Sequence, residues 1–138
     1  MRRPGEITLV ACGPLTNLAE IYNKQPTISE KIIEVVIMGG AINVPGNVTP
    51  HAEFNIHTDP ESAQIIFSSD LPITLVPLDV TCKVILAKKD IEEIHEAGTP
   101  VADFAYHALS RYYDFPGHRR FGGCPLHDPL AVGVAIDE

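Results

Sequence analysis

No run of 18 or more apolar residues occurs in this chain, and its start lacks the charged, apolar and small-residue order of a signal peptide. A membrane-spanning helix and a secretory leader are therefore not expected. Cysteine is scarce: Cys12, Cys82 and Cys124 are odd in number, far apart, and form no Cys-x-x-Cys pair. That disfavours a zinc ribbon and a redox dithiol, and makes a reduced cytoplasmic compartment the default expectation. Basic residues are few, with 10 Lys and Arg against 18 Asp and Glu, a net charge of -8 and a pI near 5.1. A nucleic-acid backbone would require clustered cations, so it is not an expected partner. The one dense basic cluster, His118-Arg119-Arg120, is balanced by acids elsewhere. Internal repeats, low-complexity tracts and linkers are also missing.

What remains is the composition of a soluble globular protein: 138 residues, 45% hydrophobic, 20% charged, mean hydropathy +0.09. That fits one domain with a sizeable core. Glu6 to Cys12 reads as a buried strand ended by Gly13-Pro14, and Pro14 suits the first turn of a helix that Pro26 stops. Ile32 to Met38 is a second strand, closed by Gly39-Gly40. Asp59-Pro60 forms an N-cap and first helical position, with Ala63, Ile66 and Phe67 as an apolar stripe. Leu71 to Pro77 is a third strand. A helix from about Lys88 ends at Gly98, and Thr99-Pro100 caps another whose buried side is expected to be Val101, Phe104, Ala105, Ala108, Leu109 and Tyr112. Arg111 to Pro125 is aromatic and turn-rich, and Asp128-Pro129 opens a last helix from Leu130 to Ile136. This order predicts an α/β fold: a parallel, Rossmann-like open sheet with flanking helices and right-handed crossovers. Three strands make a narrow sheet, and the last helix reaches Asp137-Glu138 without a cap. The chain therefore reads as the central part of a larger single domain.

The stretch from Met38 to Pro60 carries the densest chemistry. It leaves a buried strand through Gly39-Gly40 and presents Asn43, Asn47, His51, Glu53 and Asn55 around one aromatic, Phe54. Amides donate and accept, and an ionised carboxylate accepts several hydroxyl protons. A polar loop after a strand of an α/β sheet is a common ligand site, and this mixture suits a pentose better than a phosphate. A phosphate site would need a Gly-rich turn backed by Lys or Arg. The plainer alternative makes Asn43, Gly46 and Asn47 turn formers and Glu53 a solvated acid.

His127-Asp128-Pro129 is the second candidate. Asp128 is either an N-cap or a ligand for a hard cation such as Ca²⁺, and His127 has the unperturbed pKa of a general acid. Gly13-Pro14-Leu15-Thr16-Asn17 is the third, since carbonyls at a strand's C-terminal end can face a cleft. Asp59 has no helper and reads as a cap. His95 and His107 read as surface or packing residues, and Cys12 and Cys124 as small buried side chains.

Four strings, in order, cover nearly the whole chain: Leu9-Val10-Ala11-Cys12-Gly13-Pro14-Leu15-Thr16-Asn17, Val36-Ile37-Met38-Gly39-Gly40, Ala52-Glu53-Phe54-Asn55-Ile56 with Asp59-Pro60-Glu61, and Cys124-Pro125-Leu126-His127-Asp128-Pro129-Leu130-Ala131. Together they resemble the inosine-uridine-preferring nucleoside hydrolase family. The resemblance implies a Ca²⁺-dependent glycosidase that cleaves ribonucleosides to ribose and base, a cytoplasmic enzyme of purine and pyrimidine salvage that is commonly a homo-oligomer. By match of position, the Cys12 main-chain carbonyl and the Asp128 side chain would be Ca²⁺ ligands. Met38, Asn47, Glu53, Phe54 and Asn55 would line the ribose, and His127 would be the catalytic proton donor facing the leaving base. The aromatic segment Tyr112 to Phe121 would lie near the base.

One departure stands out. The family's Asp-x-Asp-Pro-Gly-x-Asp-Asp signature is not in these residues, and Asp59, Asp70, Asp79 and Asp90 do not replace it. The chain by itself is therefore expected to be inactive. The alternative is a non-catalytic ribose-binding or assembly module.

Overall fold

The computed structural model describes residues 3–115 and 121–136; the His118-Arg119-Arg120 cluster and the Asp137-Glu138 end lie outside the described residues. In chain order the elements are β1 (Thr8–Ala11), α1 (Thr16–Lys24), a 3-10 turn (Pro26–Lys31), β2 (Glu34–Met38), α2 (Phe54–Thr58), α3 (Pro60–Phe67), β3 (Ile73–Val76), α4 (Leu78–Thr81), β4 (Ile85–Leu86), α5 (Lys88–Glu96), α6 (Pro100–Tyr113), β5 (Cys124–Pro125) and α7 (His127–Ile136). They fall into two compact units, Met1–Val80 with His127–Glu138, and Thr81–Leu126.

In the first unit β1, β2 and β3 form a three-stranded, all-parallel sheet in that order. Leu9 lies opposite Val35, and Val35 opposite Ile73. Side chains alternate across a strand, so one face presents Leu9, Ala11, Val35, Ile37, Ile73 and Leu75. These meet Leu15, Leu18 and Ala19 at α1, and Ala63 and Ile66 from α3. Val35, Ile37 and Ile66 are fully buried, each contributing about 1.5–3 kcal/mol of hydrophobic stabilisation. The other face carries Val36 and Met38, where α7 packs on β2 and β1 with a fully buried Ala131. Asp70 fastens the turn before β3 to the α1 side: it accepts from Tyr22 Oη (3.0 Å) and Ser29 Oγ (2.9 Å).

The parallel order is the expected one. The expected helix start at Asp59 is also present, its carboxylate accepting the Ser62 N–H at 3.0 Å. Pro72 and Pro77 bracket β3, which is shorter than its apolar run because proline brings no N–H to a ladder.

In the second unit β4 and β5 pair antiparallel, and α5 packs on α6. Thr99 caps α6 through the Ala102 N–H (3.1 Å). The expected buried side of α6 is a correction. Val101 and Phe104 are 77% and 76% exposed, and Ala108 and Tyr112 are exposed too. Of the expected side only Ala105 and Leu109 are half-buried; the inward side is shifted around the helix, with Ala102 buried and Tyr106 and Tyr113 half-buried. His95 stacks on Tyr106 with ring centroids 4.2 Å apart, which anchors that side to α5. Among the described residues no helix is long and apolar enough to cross a membrane.

Candidate functional site

Of the residues singled out in the loop after β2, Glu53 and Asn55 bond to the C-terminal end of β2 at Gly40 and Met38, Asn47 bonds to Phe54 within the loop, and all lie in the first unit. Glu53 is the centre. It is 2% exposed and caps α2, but the cap reaches further than one helix. Its Oε2 accepts three main-chain N–H groups: Gly40 (3.0 Å), Asn55 (2.9 Å) and Ile56 (3.2 Å). Such charge-assisted bonds fix the carboxylate firmly. Among the described residues nothing donates to Oε1, and no buried side-chain oxygen lacks a partner, so Oε1 keeps a path to solvent. A buried acid with one oxygen committed to the backbone and one open is a directed acceptor.

Asn55 is buried beside it. Its Nδ2 donates to the Met38 carbonyl (3.1 Å) and to Met38 Sδ (3.4 Å). Its Oδ1 is thereby oriented as an acceptor, and Met38 is locked under it. Asn47 Oδ1 accepts the Phe54 N–H at 2.9 Å, which leaves the Asn47 Nδ2 donors outward, while the Phe54 ring is 55% exposed. The loop between them is tight. A Cβ on Gly46 would sit 2.2 Å from the Ala52 carbonyl oxygen, so only glycine fits there.

The β1 end and the α7 start join this neighbourhood electrostatically. Burial raises the Asp128 carboxyl above the usual carboxylate range; the adjacent His127 opposes the rise and the Glu53 charge adds to it. Partial desolvation by the surrounding chain raises the Cys12 thiol even though the residue is exposed, with the Asp128 charge adding. Asp128 thus lies within reach of the fields of both Cys12 and Glu53. Contrary to the expectation of a buried side chain, Cys12 is exposed; it follows the last residue of β1, past the packing of the sheet. Cys124 is buried as expected, its Sγ donating weakly to the Leu109 carbonyl (3.9 Å).

Two aspartates have larger structural roles than the sequence suggested. Asp59 caps α3 and also accepts from Thr16 Oγ1, tying the turn after β1 to the α2–α3 junction. Asp79, in α4 just past β3, accepts the main-chain N–H groups of Ile42 and Asn43. The available signal for Asp79 was its position, just past the third of three parallel strand ends.

Among the described residues no three His, Cys, Asp or Glu side chains are grouped to hold a metal ion. Ca²⁺ takes six to eight oxygens. Asp128 and the Cys12 carbonyl do not fill that sphere, so these residues alone do not fit the ion. A groove of about 220 Å³ in the second unit, between α5 and α6, includes Tyr113 of the aromatic segment but none of the expected ribose, metal or catalytic residues.

Comparison with known proteins supplies the remaining finding. The family model described as inosine-uridine preferring nucleoside hydrolase matches residues 1–138. The pyrimidine-specific ribonucleoside hydrolase RihA of Salmonella arizonae is 42% identical over 131 residues, which is 94% of this chain and 42% of that protein. RihA of Citrobacter koseri is 41% identical, with 94% and 42% covered. Among solved structures, a purine-preferring ribonucleoside hydrolase from Gardnerella vaginalis superposes with a TM-score of 0.94 at 37% identity, over 99% of this chain and 44% of that one. A plant nucleoside hydrolase gives 0.93 at 39% identity, with 99% and 43% covered. The chain thus spans less than half the length of the relatives it matches.

Proposed function

Because this chain belongs to the inosine-uridine preferring nucleoside hydrolase family, we propose that its Met38–Asn55 stretch is the ribose subsite of an enzyme that hydrolyses the N-glycosidic bond of ribonucleosides. The observation that carries the reading is Glu53, whose Oε2 is held by three backbone donors while Oε1 stays open at the strand ends. A furanose presents several hydroxyls at fixed angles. Glu53 Oε1 and Asn55 Oδ1 would accept from them, Asn47 Nδ2 would donate, and Met38 and Phe54 would supply apolar contact. Holding the sugar rigidly favours the flattened, oxocarbenium-like ring through which glycosides cleave. His127 would protonate the departing base, a step worth typically about 10²–10⁴-fold. In a whole enzyme of this family, Asp128 and the Cys12 carbonyl would be two of the oxygens around Ca²⁺, the remainder coming from outside these residues.

The relatives' names point to both pyrimidine-specific and purine-preferring enzymes, so the proposal is for the ribonucleoside class. It includes a cytoplasmic homo-oligomer acting in nucleoside salvage, which sedimentation of the purified chain would check for assembly. The test of the subsite is an amide-resolved NMR titration with ribose, inosine and uridine. Saturable shifts at Gly40, Asn55 and Ile56 are expected, and Glu53→Gln should abolish them. No shift at these amides in the unaltered chain refutes the subsite.

A second reading is a sugar-binding module without catalysis, built on the same Glu53–Asn55 acceptors. A reducing-sugar assay with inosine, uridine and Ca²⁺ separates the two. We expect negligible turnover from these 138 residues. Robust turnover would overturn the expectation that these residues alone are inactive.

A further inference from the structure

We propose that Asp79 is a positioning residue for this site: its carboxylate holds the backbone after β2 so that the Gly40 N–H stays on Glu53. The inference rests on the ribose reading above. Asp79 Oδ2 accepts the Ile42 N–H at 2.9 Å, and Oδ1 accepts the Asn43 N–H at 2.8 Å. Both oxygens are therefore occupied by one short stretch of main chain, as in a two-pronged clamp. Two ladder-like bonds precede them: Gly39 N–H to the Val76 carbonyl (3.3 Å) and Leu78 N–H to the Gly40 carbonyl (2.9 Å). Among the described residues, Ala41 to Pro45 makes no other main-chain N–H bond. Asp79 is thus what carries the β3 contact beyond Gly40.

Gly40 sits at φ +83°, a left-handed conformation that glycine alone adopts readily. Its N–H points to Glu53 Oε2, so the peptide planes on either side of Gly40 set that donor's direction. Release of Ile42 and Asn43 would free those planes to rotate. An acid at the head of α4 could instead serve as an ordinary helix-end charge. That helix is only four residues long, and both carboxylate oxygens face the loop rather than the helix. The bonds also hold the Asp79 carboxyl below the usual range, with the Ile42 N–H the largest cause.

The test compares the unaltered 138-residue chain with Asp79→Ala and Asp79→Asn. Three readouts are needed: amide hydrogen exchange by NMR, ribose titration, and the thermal midpoint. Asp79→Ala should speed exchange at Ile42, Asn43 and Gly40 and weaken ribose binding, each by about tenfold, the effect of losing about one charge-assisted hydrogen bond. Exchange in the centres of β1 and β3 should not change. Asp79→Asn keeps one acceptor oxygen and should fall between, so the proposal stays testable if the alanine variant does not fold. A lowered midpoint with unaltered Gly40 exchange and unaltered ribose affinity would mean a purely structural role, and overturns the clamp. Failure of the unaltered chain to bind ribose at all overturns the subsite reading itself, and is a separate outcome from equal binding by both proteins.

Discussion

Glu53→Ala and Glu53→Gln dissect the two oxygens of a single buried carboxylate. Alanine removes the acceptor shared by the Gly40, Asn55 and Ile56 N–H groups. Each buried donor left unpaired costs about 1–3 kcal/mol. Gly40 and Ile56 are only half-buried, so water can recover part of that for two of the three. The expected loss is therefore about 3–5 kcal/mol, a large share of the 5–15 kcal/mol that holds a typical domain together. Glutamine keeps an amide oxygen that can take the place of Oε2. It forfeits the charge assistance on these bonds, up to about 1 kcal/mol each, while the repulsion between Glu53 and Asp128 disappears. The net expectation is a loss of about 1–2 kcal/mol. Ribose binding should still vanish, because an NH2 group now stands where Oε1 accepted. The assay is urea unfolding followed by far-UV circular dichroism, since the chain has no tryptophan to report by fluorescence. Alanine and glutamine agreeing within about 0.5 kcal/mol, beyond which independent sites are usually distinguishable, would refute the division of labour between the two oxygens.

Gly46→Ala should destabilise by about 1–3 kcal/mol, on the scale of an overpacked contact, because its Cβ meets the Ala52 backbone; faster amide exchange at Val48 and Thr49, which both donate to the Ala52 carbonyl, checks this. Asp59, Asp70 and Asp79 all have carboxyls held below their ordinary value of 3.8 by hydrogen bonds. Their contribution is complete above that value and lost as pH falls through the lowered ones, so acid unfolding should begin below about pH 4 and soften in Asp70→Asn. Asp128 has the opposite sign: its raised pKa means the ionised form is disfavoured on folding, so Asp128→Asn should raise the neutral-pH melting midpoint by a few degrees or less. In an active family enzyme, replacing the residue matching His127 by alanine should slow nucleosides with poor leaving groups far more than an activated nitrophenyl riboside; equal losses count against a proton donor.

The sheet was readable because each apolar run is bounded by Gly or Pro, as at Gly13-Pro14, Gly39-Gly40 and Pro77, which mark where a strand must stop. Helix starts at Asp59-Pro60 and Thr99-Pro100 were equally plain, since capping chemistry is local. Three features were not readable, each for a physical reason. The helix α2 is five residues long, too short to show a period, and its cap is a glutamate that also serves a distant glycine. In α6 the 3.6-residue period revealed a coherent apolar stripe, but periodicity cannot say which side a neighbour covers; small Ala102 and the stacked Tyr106 won over Val101 and Phe104. Asp79 grips main-chain amides 36 and 37 positions away, and amide protons carry no residue-type signature. The loop residues Asn47, Glu53 and Asn55 stand out in the sequence because their polarity contradicts a position next to a buried strand.

The bridging by Glu53 and Asp79 bears on protein engineering. Anyone transplanting this proposed ribose loop onto another parallel sheet would be tempted to move only the polar stretch from Asn43 to Asn55. That graft would arrive without Gly40 for Glu53 and without Asp79 for Asn43. The smallest portable cassette joins two pieces of chain, Met38 to Ile56 and Val76 to Asp79, so a recipient scaffold must offer neighbouring strand ends at the same spacing.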